Sequence, residues 1–170
     1  MEQIRFAISW PFINARLTLS WRAVLYGLEN ELAAPTVPVE AAANRLGDSE
    51  DTPPALLELA IAEADEPVRH LVQALAATEE LADELSLREM WLYLVMAWVY
   101  EHKSEVADPL GVVERIYADF DYPESISGLV RYMPSDMPDL GSPEANEERL
   151  MKRWESFLAD ERSRLDESAG

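Results

Sequence analysis

The sequence predicts an all-α fold: a single compact domain of seven to nine helices around a buried central helix at about residues 87–103. Three observations carry this expectation. Proline stands at successive helix starts with a capping residue before it. Apolar residues recur at i, i+3, i+4 and i+7. The run Met90–Tyr100 is apolar at all eleven positions. No segment alternates with period two between hairpin turns, as paired strands would.

The starts come first. Thr52-Pro53, Asp108-Pro109 and Ser142-Pro143 each place a side-chain oxygen before a proline. The oxygen can accept from an orphan N–H of the first turn, and proline has no N–H to lose there. Ser86 followed by Glu89 has the spacing of a capping box. Behind these starts lie four apolar stripes: Trp21, Val24, Leu25, Leu28; Val68, Leu71, Val72, Leu75; Val113, Ile116, Tyr117, Phe120; and Leu150, Trp154, Phe157, Leu158. Each stripe needs a neighbour to bury it. Weaker helices fit 37–46 and 53–63, and a short one fits 125–132. Met90–Tyr100 is too short for a bilayer and reads as a helix buried on most sides. Gly27 lies inside the first strong helix, where glycine costs about 1 kcal/mol against alanine, so close packing by a neighbour is the expected compensation. Met133–Pro143, with three prolines and Gly141, reads as the longest irregular loop. Residues 1–160 form the expected domain, and the charged stretch 161–170 reads as a fraying tail.

Composition narrows the function. The 170 residues hold 33 Asp and Glu against 14 Lys and Arg, a net charge of −19, and no cysteine. A disulfide framework or thiolate metal cluster is excluded. No apolar run reaches membrane-spanning length. Direct nucleic-acid binding would need the cations this chain lacks. The N-terminus has no secretory pattern, so the expectation is a soluble cytoplasmic protein. The charge is uneven: residues 1–39 are neutral, while 40–90 carry a net −10.

Few residues offer chemistry. Glu66 and His70 share a helix face at four-residue spacing, but no third ligand of that quality accompanies them, and a surface helix explains the pair. His102 falls at the end of the central helix, where an imidazole complements the dipole. Glu79, Glu80, Asp83 and Glu84 form an acidic block. It reads as a solvated face or as a surface for a basic partner. Tyr117–Pro123 mixes rings with acids, the composition of a contact site, although Tyr117 and Phe120 also fit the buried stripe. The candidate partner-binding residues are therefore Glu63, Glu66, Glu79, Glu80, Asp83, Glu84, Asp119, Asp121 and Tyr122. No catalytic, metal-ligating or cofactor-binding residue is assigned, and no cofactor is implied.

Several stretches carry a resemblance. Leu19-Ser20-Trp21 with Tyr26-Gly27-Leu28, Trp91-Leu92-Tyr93-Leu94 with Trp98-Val99-Tyr100-Glu101, Asp108-Pro109-Leu110 with Val113-Glu114, Ile116–Pro123 and Val130–Pro134 together resemble an uncharacterised bacterial family, domain of unknown function twenty-two forty-seven. The match spans about residues 6–155; residues 48–85 share only helical, acidic character. The resemblance implies a helical protein of the kind found beside bacterial polymorphic toxins, where such proteins serve in immunity. It implies no enzymatic activity and carries over no catalytic residue. It also makes 48–85 the better place for partner-specific contact. The expectation is a non-enzymatic protein that neutralises a basic toxin domain by stoichiometric binding. The alternative is a helical regulatory or scaffolding module with an apolar groove. A hydrolase using Glu66, His70 and a metal is a minor third reading.

Overall fold

A computed structural model describes residues 6–46, 52–63, 65–131 and 139–169, the side chains of 167–169 excepted. The described residues form eight α-helices: α1 (Trp10–Asn14), α2 (Trp21–Glu29), α3 (Val37–Arg45), α4 (Pro54–Ala60), α5 (Arg69–Ala77), α6 (Glu84–Glu101), α7 (Pro109–Asp119) and α8 (Pro143–Ala169). Two short 3-10 helices, Lys103–Glu105 and Glu124–Leu129, complete the order. One isolated bridge between Ile8 and Ala33 is the sole strand-type pairing among the described residues. The all-α expectation holds. Among the described residues no helix is long and apolar enough to cross a membrane. Part of the loop expected at Met133–Pro143 and part of Val130–Pro134 lie outside the described residues, as do 48–51 within the acidic stretch.

The chain divides into two compact units, Arg5–Trp91 and Leu92–Gly170. In the first, α2 packs on α5, α4 packs on both α3 and α5, and α1 touches α3. Val24, Val37, Leu59, Val72 and Trp91 fill its core. The α2 stripe buries Trp21 and Val24, and the α5 stripe buries Leu71, Val72 and Leu75, as the helical spacing requires. In the second unit, the 3-10 helix Glu124–Leu129 lies against α7 and α8. Val113, Ile116, Tyr117 and Phe120 of the α7 stripe are all buried, with Ile126, Leu129 and Trp154.

Helix α6 covers residues 87–101 of the central helix expected at about 87–103. Trp91–Ala97 and Val99 are buried, while Trp98 and Tyr100 are half-buried. Its start differs from the expectation. Ser86 lies inside the helix; the cap is Asp83, whose Oδ1 accepts from Leu85 N at 3.2 Å while its carbonyl accepts from Leu87 N. Thr52 does not cap α4 either. Pro53 occupies the cap position and Pro54 the first turn, so the helix begins one residue later. Asp108 stands at the N-cap of α7; the Gly111 N–H of the first turn lies near its carboxylate without forming a full cap bond, and its main partner is Arg131. Ser142 does cap α8, accepting from Ala145 N at 3.1 Å. Helix α8 continues to Ala169, and Leu165 is buried on it. His102 follows α6, with Nδ1 2.7 Å from the Trp98 carbonyl and its ring stacked on Trp98 at 4.1 Å. The Trp98 carbonyl also accepts from His102 N at 3.1 Å, so ring and backbone of this histidine both close the last turn, which gives it a structural role.

Candidate partner-binding surface

The predicted contact residues fall into three groups. Glu63 and Glu66 lie exposed in the connection from α4 to α5, joined by a backbone bond from Glu66 N to Glu63 O. Glu79, Glu80, Asp83 and Glu84 lie in the connection from α5 to α6 and in the first turn of α6. These two groups flank α5, whose nine residues span about 12 Å of axis. They therefore do not merge into one cluster. Asp119, Asp121 and Tyr122, the third group, belong to the second unit and end α7.

Glu79 corrects the expectation of a uniformly solvated block. Its carboxylate is half-buried and accepts from two consecutive backbone donors, Trp21 N at 3.0 Å and Arg22 N at 2.9 Å. Ser20 Oγ takes the next, Ala23 N, at 3.1 Å. The orphan donors of the first turn of α2 are thus satisfied by side chains, and the negative charge sits at the positive end of the helix dipole. Arg22 completes the clasp by donating to the Glu79 carbonyl at 3.2 Å. Arg45 lies over the Trp21 ring at 4.5 Å and donates to the Leu19 carbonyl. Burial lowers the Arg45 pKa, and the nearby Glu79 charge acts against that. The Leu19-Ser20-Trp21 motif is a helix start.

The other motifs resolve in the same way. Trp91 packs on Gly27 so closely that a Cβ there would lie 2.2 Å from the indole Cζ2. The indole Nε1 donates to the Ala23 carbonyl at 2.8 Å, one turn away on the same helix. Tyr26-Gly27-Leu28 and Trp91 are therefore two halves of one contact. In the second unit, Arg131 meets three carboxylates: Glu114 and Asp108 at 2.9 Å and Glu147 at 3.2 Å. Hydrogen bonds donated to Glu114, then to Asp108, raise the Arg131 pKa. The Arg131 bond, reinforced by Gly111 N–H, holds Asp108 below the usual carboxylate range. A Cβ at Gly111 would come within 2.5 Å of Asp108 Oδ2, so glycine leaves room for the carboxylate. These residues are distant in sequence, and no local spacing announces the cluster.

Asp121 and Tyr122 behave differently. Both take left-handed backbone angles, φ 62° and 55°, although neither is glycine. Such angles cost about 1–2 kcal/mol per residue. Tyr122 N donates to the Tyr117 carbonyl at 2.8 Å, and the two rings meet edge-on at 5.3 Å. The turn holds Tyr122 61% exposed. Phe120 and Tyr117, by contrast, are core. The mixed aromatic–acid motif thus separates into a buried part and a displayed part.

Glu63, Asp65, Glu66, Glu80 and Glu84 are exposed and take part in no ion pair among the described residues. His70 is also exposed. Among the described residues, no group of three or more His, Asp and Glu side chains is placed to hold a metal ion.

No curated protein and no solved structure matches the chain. A family model described as an uncharacterized protein conserved in bacteria (DUF2247) matches residues 10–162. That span takes in the α2 cap, the Gly27–Trp91 contact, the Arg131 cluster and the strained turn, and the chain belongs to this family.

Proposed function

We propose that this chain is a non-enzymatic cytoplasmic binding protein that neutralises a basic toxin domain by stoichiometric association. The observation that carries the reading is the set of exposed carboxylates Glu63, Asp65, Glu66, Glu80 and Glu84, unpaired among the described residues, in a chain of net charge −19. Unpaired charges of one sign create a field that speeds encounter with a cationic partner. Steering alone gives little residence time, so an apolar anchor is also required, and the displayed Tyr122 ring is suited to that role. Glu79 takes no direct part, because its carboxylate is committed to α2.

The test is affinity capture from the native cell, followed by kinetics with the captured protein. A basic partner binding at one-to-one stoichiometry is expected. The on-rate should fall with added salt, and in Glu63→Lys/Glu66→Lys by about tenfold, with the melting temperature unchanged. An on-rate indifferent to both salt and charge reversal would overturn the reading.

A second reading, a scaffolding module that docks through apolar contact, draws on exposed leucine and isoleucine side chains. Ile61 is 79% exposed one turn beyond the exposed Leu57, and Leu81 is 90% exposed one turn before the exposed Leu85. Partner binding that survives charge reversal but is lost in Leu57→Ser/Ile61→Ser would favour it.

A further inference from the structure

Helix α8 carries a feature opposite in sign to the rest of the chain. Arg149, Lys152 and Arg153 recur at i, i+3 and i+4, which places three of the chain's 14 Lys and Arg on one helix face. They line a groove of about 410 Å³ between α8 and the 3-10 helix Glu124–Leu129. Ser125 and Ser156 add hydroxyls to the wall, Gly128 adds backbone, and Leu129 and Phe157 add apolar surface. Asp160 is the one carboxylate of the lining, seven residues past Arg153 and so about 10 Å along the axis. The groove is therefore polarised, with cations at one end and an acid at the other.

Lys152 and Arg153 are only loosely engaged. Lys152 reaches Glu148 at 3.9 Å, with both side chains more than 70% exposed, a geometry of little energetic weight. Arg153 donates one nitrogen to the Gly128 carbonyl at 3.3 Å, a neutral acceptor that orients the guanidinium without neutralising it. Like charges at these spacings repel along a helix. A guanidinium presents a planar fork that matches a carboxylate or phosphate edge. The volume falls in the range of small-molecule sites, where apolar walls hold the body and a few polar groups fix the head.

We propose that this groove binds a small organic anion: one phosphate or carboxylate head held by Arg153 and Lys152, joined to an apolar body resting on Phe157. Asp160 sets the orientation by excluding the head from the far end. The surrounding negative charge repels any anion at long range, so binding depends on short contacts within the groove. Local variants, not bulk salt, are the decisive probe.

The experiment is isothermal titration calorimetry on the full chain in phosphate-free buffer, with phenyl phosphate, benzoate and inorganic phosphate as probes. Phenyl phosphate or benzoate is expected to bind at one-to-one stoichiometry, and the tighter of the two identifies the head group. Inorganic phosphate, which lacks the apolar body, should bind about tenfold more weakly than phenyl phosphate. Lys152→Glu and Arg153→Gln should each weaken binding about tenfold, and Lys152→Glu should leave the melting temperature unchanged. Ser156→Trp fills the groove and should abolish binding, which keeps the test open if Arg153→Gln fails to fold. Absence of saturable binding by both organic anions would overturn the proposal. So would unaltered affinity in Lys152→Glu or in Ser156→Trp.

Discussion

Replacing Gly27 with alanine sets two effects of known sign against each other. In an open helix the change stabilises by about 1 kcal/mol, because glycine is the poorer helix former. Here the added Cβ would stand 2.2 Å from Trp91 Cζ2, 2.6 Å from Cη2 and 2.7 Å from Cε2. Trp91 is fully buried, so the ring cannot swing into solvent. Overpacking a buried site costs about 1–3 kcal/mol. If the indole moves, it also loses the bond to the Ala23 carbonyl, and an unsatisfied buried donor costs about 1–3 kcal/mol more. The repulsive terms exceed the propensity gain, and the expected net loss is about 2 kcal/mol. For a chain of this length that lowers the melting temperature by about 4–8 °C. Urea denaturation followed by circular dichroism measures it, with the m-value as the check that one transition is being compared. Trp91→Leu provides the second arm, since Gly27→Ala should be neutral or stabilising in that background. If Gly27→Ala stabilises the wild-type protein, the close packing of Trp91 on α2 is refuted.

Three further outcomes follow from the same geometry. Glu79→Ala strips the acceptor from two donors of α2 and should cost about 1–2 kcal/mol in urea denaturation, with Glu79→Gln recovering part of the loss. Asp108, whose pKa is lowered in the fold, contributes stability that is present above the ordinary carboxylate value and is lost as pH falls through its lower folded value. Asp108→Asn should therefore flatten the stability profile below about pH 4, as read from denaturation midpoints across an acid series. Asp121→Gly places glycine at a left-handed angle and should stabilise by up to about 1 kcal/mol, measured as a higher urea midpoint.

Helical periodicity made much of this fold legible. The Val113 stripe is buried throughout, and the stripes from Trp21 and Val68 are buried in part, because 3.6-residue spacing aligns side chains without reference to the rest of the chain. Capping was read less well. Ser142 needed only its local neighbours, whereas the donors at Trp21 and Arg22 are met by Glu79, more than fifty residues away. Sequence proximity also misread Ser86, because Asp83 offered an earlier cap with the same chemistry. The acidic block was read as one object from its composition. Burial of Glu79 divides it, and composition carries no record of burial. The Asp121–Tyr122 strain was invisible, since neither residue announces a positive φ. The cation stripe on α8 was visible at i, i+3 and i+4 but was masked by a net charge summed over its neighbours.

The Glu79 clasp also bears on how the chain is made. Helix α2 is complete in sequence by Glu29, but two of its first-turn donors have no side-chain acceptor until Glu79 is added. At elongation rates of about 5–20 residues per second, that is an interval of a few seconds. During it, α2 is a nine-residue segment, too short to be stable alone in water. Its other large contacts arrive as late, α5 just before the clasp and Trp91 after it. The first unit therefore folds after its last residues are synthesised, so the growing chain carries an unformed N-terminal segment rich in tryptophan and leucine. A truncation ending before residue 79 should behave as an unfolded, chaperone-dependent chain despite containing the whole of α2.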